Sequence, residues 1–284
     1  MRNKKTPHKI ILNSDVLSFS VKVIDDMLGL KSASNVVYSD RTIVCHLLNA
    51  ASAKTSISNV SDLCELAPSE GTIRYRFRNI ELNELKQSLN ETLQIHAPKI
   101  IPRKQIDLAI DYHNNPFYGV EENDGDTIKT QPKQGTSRFF AYATIYVILK
   151  NKRFTLAIKP IRKGNSLKDT VDFLIKEIRK AGFKIKTLFL DREFYNVKVI
   201  NYLMKRNTSF IMPVVKRGSS GGIRELLIGK KSYSTYYIMR SKEDEATFQV
   251  NVAVKYSKRK YGRSGAKHFG YAVNNVDIDV KKNI

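Results

Sequence analysis

Two apolar runs in this sequence each close on an aspartate. Ile106-Asp107-Leu108-Ala109-Ile110-Asp111 is followed by Tyr112 and, after a short loop, by Pro116-Phe117-Tyr118-Gly119. Lys186-Thr187-Leu188-Phe189-Leu190-Asp191 runs straight into Arg192-Glu193-Phe194-Tyr195. A charge at the end of a buried apolar run costs free energy unless it is paired or holds a metal. Two such ends in a strongly basic chain point to a carboxylate pair that binds divalent metal beside a nucleic acid. Carboxylate and water ligands suit Mg2+ or Mn2+. In such chemistry two ions about 3.5–4 Å apart activate the attacking oxygen and stabilise the leaving one. Asp111 and Asp191 are then metal ligands rather than a general acid and base. The alternative for either aspartate alone is a turn cap at a strand end. Asp107 shares a strand face with Asp111, because side chains alternate, and is a minor candidate.

The charge balance supplies the partner. Lys and Arg number 49 against 27 Asp and Glu, a formal net charge of +22. A surplus of that size favours a polyanion through counterion release. An anionic membrane surface is the rival, but no basic amphipathic helix with a clean apolar face stands out. No apolar run approaches bilayer length. The start, Met1-Arg2-Asn3-Lys4-Lys5, leads into no apolar segment with a cleavage site, so a cytoplasmic, nucleoid-associated location is expected. Cys45 and Cys64 are the only cysteines, which excludes a disulfide framework and a four-cysteine zinc site. His8, His46, His96, His113 and His268 have no metal-ligand spacing, and neither a Walker motif nor a Gly-x-Ser-x-Gly elbow is present. The acidic stretch Glu121-Glu122-Asn123-Asp124-Gly125-Asp126 lacks an EF-hand pattern and reads as a solvated loop.

The elements around the aspartates fall into three parts: residues 1–100, 103–216 and 217–284. The first is helical. Val16 to Leu30 can form one helix. Ser39 or Asp40 can cap another carrying Ile43, Val44, Leu47, Leu48 and Ala51. Val60, Leu63 and Leu66 mark a third helix, and Pro68-Ser69-Glu70-Gly71 breaks before a fourth through Thr72–Arg78. A short helix, a turn and a helix bearing Arg74, Arg76 and Arg78 fit a helix-turn-helix DNA reader. A plain helical bundle with a solvated basic face fits as well. Leu82, Leu85, Leu89 and Leu93 give a further stripe, and Pro98 to Pro102 reads as a linker.

The second part is α/β. Strands are expected at Ile106–Asp111, Phe139–Leu149 and Arg153–Lys159. A helix follows, capped by Ser166 and Asp169 and closed by Gly182. Then come the strand ending at Asp191, a helix over Asn196–Asn207 and a strand over Ser209–Val215. That order is RNase H-like, with the first strand and the strand after the first helix side by side and parallel. Such adjacency brings Asp111 and Asp191 together across 80 residues (191 − 111). The third part is β-rich, with strands at Ser232–Arg240, Thr247–Tyr256 and His268–Val273. Between the last two, Lys255, Lys258, Arg259, Lys260 and Arg263 interleave with Tyr256 and Tyr261, a pattern suited to phosphates and bases. A solvated hairpin tip is the other reading.

Three segments carry a resemblance. Asp111-Tyr-His-Asn-Asn-Pro-Phe-Tyr-Gly119, Gly135-Thr-Ser-Arg-Phe-Phe-Ala-Tyr-Ala-Thr144 and Leu190-Asp-Arg-Glu-Phe-Tyr195 together resemble the DDE transposases of prokaryotic insertion sequences. The branch resembled is the one with a β-strand insertion after the second catalytic aspartate, and the match runs from about Ile106 to Asn274. The resemblance implies that Asp111 and Asp191 are the first two members of a metal-binding triad using Mg2+ or Mn2+. It implies double-stranded DNA at the inverted repeats of an insertion element as partner, and allows a homodimer on that DNA. The helical part fits the family's end-binding region.

The family's third ligand is a glutamate in a Tyr-x-x-Arg-x-x-x-Glu pattern on a helix after the insertion. Here Tyr271-Ala-Val-Asn-Asn275 leads instead to Val276-Asp-Ile-Asp-Val-Lys-Lys-Asn-Ile284, and Glu225, Glu243 and Glu245 lack that setting. The expectation is a chain truncated before its catalytic helix, with impaired strand transfer and one sheet face short of cover. The other classes in play are a non-catalytic DNA-binding protein or repressor derived from a transposase, and a stand-alone RNase H-like nuclease.

Overall fold

A computed structural model describes residues 12–30, 36–63, 66–78, 80–101, 105–120, 125–149, 152–258 and 264–276. Cys64, Pro102, residues 121–124, residues 150–151, and Arg259, Lys260 and Arg263 lie outside these, as do residues 277–284. The chain divides into two compact units, residues 1–92 and 93–284. The expected boundaries at 103 and 217 both fall inside the second unit.

The first unit is helical: α1 Asn13–Leu28, α2 Asp40–Ala53, α3 Ile57–Leu63, α4 Glu70–Phe77 and the start of α5 Leu82–Ile100. Ser39 and Ser69 are N-caps whose hydroxyl oxygens accept from the Thr42 and Thr72 amides at 3.2 Å. Each thereby satisfies a donor that the first helical turn leaves without an intrahelical partner. Ile43, Val44 and Ile73 are fully buried; of the other residues of the expected α2 stripe, Leu47 and Leu48 are half-buried and Ala51 is exposed. The helical part ends inside the expected stretch Pro98–Pro102: α5 carries Pro98 in its last turn and stops at Ile100. Pro98 only removes one intrahelical bond, whereas Pro102 disfavours helical backbone at Ile101, where the helix has stopped.

The second unit holds β1 Gln105–Pro116, β2 Ile128–Lys133, β3 Thr136–Leu149, β4 Lys152–Ile161, α6 Leu167–Lys180 and β5 Lys184–Leu190. A 3₁₀ turn at Arg192–Phe194 leads to α7 Val197–Lys205 and β6 Phe210–Pro213. Another 3₁₀ turn, Gly222–Leu226, precedes β7 Tyr233–Arg240, β8 Glu245–Lys258 and β9 Ser264–Asn274. Among the described residues these strands form one nine-stranded sheet. The run β4-β3-β1-β5-β6 has β3 antiparallel to both neighbours, and β1, β5 and β6 parallel. That is the RNase H-like order expected from sequence. β2 pairs with the first residues of β3 on the edge that β4 takes further along.

The β-rich third part continues the same sheet: β9 pairs with β6, β8 with β9 and β7 with β8. β9 meets β6 only over Tyr271–Asn274, and β7 meets β8 only as far as Val252. Beyond those points the described strands β8 and β9 pair with each other alone, out to Lys258 and Ser264.

Strand alternation sorts the sheet's faces. Ile106, Leu108 and Ile110 on β1 and Leu188 and Leu190 on β5 are buried in one core with Val171, Leu174, Ile175 and Ile178 of α6 and Val199, Ile200 and Leu203 of α7. Ser166 caps α6, its Oγ accepting from the Asp169 amide at 3.0 Å. The opposite face carries Ala109, Asp111, Thr144, Tyr146, Phe189 and Asp191, and there Phe140, Ile148 and Phe189 are exposed.

The join between β9 and β6 is tight. A Cβ on Gly270 meets Val214 Cγ2 at 2.6 Å and Leu227 Cδ2 at 2.9 Å. Val214 is short and branched, so it cannot swing aside. Gly270→Ala is therefore expected to lower unfolding stability by about 1–3 kcal/mol. Urea denaturation of the two proteins checks this, and equal midpoints would contradict the close approach.

Candidate metal and nucleic-acid site

Parallel pairing of β1 with β5 places Ile110 opposite Leu190. The next residue on each chain is Asp111 and Asp191, so two carboxylates stand on neighbouring strands about 4.8 Å apart. Asp111 is not a strand end as the sequence suggested. β1 runs on to Pro116 because β3 pairs with it as far as Phe139. Asp191 does end β5, and it caps the following 3₁₀ turn: its Oδ1 accepts from the Glu193 amide at 2.7 Å.

The two carboxylates have different surroundings. Asp111 Oδ1 accepts from the Tyr112 amide at 3.0 Å. Its Oδ2 lies 3.8 Å from His113 Nε2 and 3.9 Å from Arg153 Nη1. Arg153 reaches it across the Tyr146 ring, 5.0 Å from the ring centre. His113 is stacked on Tyr142 at 4.8 Å, and its Nε2 is 3.2 Å from the hydroxyl of the buried Thr144. Burial pushes the Asp191 carboxyl above its ordinary value; the Glu193 amide opposes this, and the Asp111 charge adds to the rise. Asp107 is drawn to Lys186 at 3.6 Å and stays apart from the pair.

A third carboxylate does not join them among the described residues, where no group of three or more His, Cys, Asp or Glu side chains is set to hold an ion. Glu243 is engaged by Lys198 at 3.0 Å, and Glu245 pairs with Arg240 at 3.4 Å. Glu225 lies in the 222–226 turn.

The candidate DNA contacts divide. Arg74 is exposed and salt-bridged to Glu70, and Arg78 is exposed just past the end of α4. Arg76 lies between them in sequence and on the other side of the helix. Its side chain is only 13% exposed and pairs with Asp40 at 3.0 Å, while donating to the Tyr38 carbonyl at 3.0 Å. It is a strut between α4 and α2, so the three arginines do not form one reading surface. Lys255 and Tyr256 are exposed on β8, and Lys258 is its last residue.

Sequence reading missed His113, Arg153 and Thr144. His113 was within reach, since it sits two residues from Asp111 on the same strand face. Arg153 was not, because its approach depends on how β4 registers against β3. β2 was missed as well; Ile128-Lys-Thr-Gln-Pro-Lys133 has no apolar alternation to mark it.

No protein-family model and no curated protein matches the chain. Among solved structures it is similar to a piggyBac transposase synaptic complex with hairpin DNA, at 14% identity and a TM-score of 0.45, over 93% of this chain and 59% of that one. It is also similar to a Drosophila P element transposase strand transfer complex, at 12% identity and a TM-score of 0.32, over 69% of this chain and 43% of that one. The chain thus spans less than two thirds of either neighbour's length.

Two tests follow from this geometry. Asp191's folded pKa is raised, so its neutral form is favoured in the fold. The stability this gives is full below the ordinary value of 3.8 and is lost as pH rises through the raised value. With chelator present, Asp191→Asn is expected to raise the melting temperature at pH 7, with the gain vanishing in acid. A melting temperature at pH 7 that is unchanged or lower contradicts the assignment. Arg76→Ala is expected to cost about 1–3 kcal/mol of stability by removing the pair with Asp40 and the bond to the Tyr38 carbonyl. Arg74→Ala and Arg78→Ala are expected to leave stability within about 0.5 kcal/mol. Thermal melts of the three variants separate these roles.

Proposed function

We propose that this chain is a DNA transposase of the insertion-sequence type, cutting and joining strands by metal-assisted phosphodiester chemistry. The observation that carries the reading is the parallel register of Ile110 with Leu190, which sets Asp111 beside Asp191. The RNase H-like strand order and the net charge of +22 support it.

The donor set fits a divalent cation. Two like-charged carboxylates on adjacent strands, one of them raised in pKa by burial and then by its neighbour, are relieved by a cation shared between them. Asp111 and Asp191 hold Mg2+ or Mn2+ in this reading. A bound ion there supplies Lewis-acid polarisation of a phosphoryl oxygen and a more acidic water. The chain's own groups do the rest. The Tyr112 and Glu193 amides fix one oxygen of each carboxylate, and His113 and Arg153 bring positive character within 4 Å of the other oxygen of Asp111. Arg74, Arg78, Lys255 and Lys258, together with Arg259, Lys260 and Arg263, neutralise the DNA backbone. The helix-turn-helix role of α3 and α4, recognition of inverted repeats and a homodimer on DNA belong to the same proposal.

A second reading has its own support. Among the described residues only two carboxylates come together, and Arg153 already lies against Asp111. Those facts favour a DNA-binding protein without strand transfer.

One experiment separates the readings. Purified chain is assayed with Mn2+ for nicking of DNA carrying the element ends, alongside Asp111→Asn and Asp191→Asn. The transposase reading expects each variant to lose about 100-fold or more in rate, with DNA affinity within about threefold of the parent. Nicking that survives in both variants removes the carboxylates from the mechanism. DNA binding with no nicking by any of the three proteins establishes the second reading.

A further inference from the structure

A cavity of about 400 Å³ opens beside β1, where the β2–β3 hairpin meets the turn from β4 into α6. Tyr112, Lys129, Arg138, Arg162, Lys163 and Asn165 line it. Four of these six are cations. The turn that presents two of them is firmly held. The Arg162 amide donates to Asn165 Oδ1 at 2.9 Å, the Asn165 amide to the Arg162 carbonyl at 3.0 Å, and the Lys163 amide to the Gly125 carbonyl at 3.2 Å. Asp126 takes part of the charge, 3.3 Å from Arg162. Gly164 turns the chain at φ +88, with open space where its Cβ would stand. Tyr112 supplies a half-buried aromatic wall, fixed edge-on to Phe194 with ring centres 6.3 Å apart.

This volume is that of a small-ligand site, where sites run from about 300 to 1,000 Å³. Clustered cations suit a phosphate, and an aromatic wall suits a base. Tyr112 directly follows Asp111, and the two side chains leave opposite faces of β1. By register Lys129 and Arg138 stand on the Asp111 face and Ile128 on the Tyr112 face, so the cavity draws its lining from both faces at the β3 edge, one residue along the strand from Asp111.

We propose that it takes one nucleotide of a single-stranded DNA end, its phosphate on Arg162, Lys163 and Lys129 and its base against Tyr112. This rests on the reading of the chain as a DNA-processing protein, and gives the strand being cut a second anchor beside the carboxylates.

The test is calorimetric titration of the full chain, with chelator present, using thymidine 5′-monophosphate, thymidine and inorganic phosphate as probes. Saturable binding of the nucleotide is expected, with each of the other two at least about tenfold weaker. The double change Arg162→Ala with Lys163→Ala is expected to weaken nucleotide binding about tenfold or more, and so is Lys129→Glu, at an exposed strand position that folding tolerates. Asp111→Asn with Asp191→Asn is expected to leave it unchanged, so the pocket can stand even where the metal assignment fails. No nucleotide binding overturns the proposal. So does equal binding of inorganic phosphate, no loss in either pocket variant, or an equal loss on replacing Lys230 and Lys231 with alanine.

Discussion

The parallel contact between β1 and β5 is the constraint on which the rest depends. It joins strands far apart in sequence, and the chain reaches it only after laying down β2, β3, β4 and α6. Its stability comes from one face. Leu108, Ile110, Leu188 and Leu190 are each at most 4% exposed, and a one-residue slip would turn that set away from α6 and α7. The carboxylates stand on the other face, so the same register that buries the leucines and isoleucine fixes how far apart the acids are. Burial on one side specifies chemistry on the other.

Electrostatics then sets the acids apart from the rest of the molecule. In a chain with 49 basic residues, a carboxylate has many candidate counter-ions. Asp172 shows the ordinary outcome: Lys176 at 2.7 Å, Arg206 at 3.3 Å and the Tyr202 hydroxyl surround it. Asp191 is different. Its nearest described donor is a backbone amide and its charged neighbour is another acid, so burial is not offset and its carboxyl rises. Arg153 and His113 approach Asp111 at 3.9 and 3.8 Å, but a part-buried Asp191 set beside another acid is a poor structural device and a good place for a cation.

Much of this could be read from sequence, for reasons that differ by element. The α2 stripe and the Ser166 cap of α6 are local signals: Ile43 and Val44 are buried and Ser166 caps its helix. The Asp111–Asp191 adjacency was legible because parallel crossovers allow few topologies. What failed needed non-local information. The run of β1 past Asp111 is imposed by β3, on polar residues His113-Asn114-Asn115 that carry no strand signal. Arg76 reads like Arg74 and Arg78 until Asp40 is placed beside it.

The sheet narrows abruptly. Where β9 leaves β6 and β7 leaves β8, a sheet of nine strands narrows to a ribbon of two, Val254–Lys258 against Ser264–His268. Its base is braced by the Tyr256 hydroxyl on the Lys230 carbonyl at 2.7 Å and by His268 Nε2, 2.9 Å from the Gly229 carbonyl. Two-stranded ribbons twist more readily than wide sheets. In mechanical terms the ribbon is a cantilever: stiff at its root, compliant toward its tip, and clamped through β9 and β6 to the strand that carries Asp191. Load applied to the arm by a bound polymer is therefore resisted within two strands of the carboxylate pair, while deflection is confined to the arm.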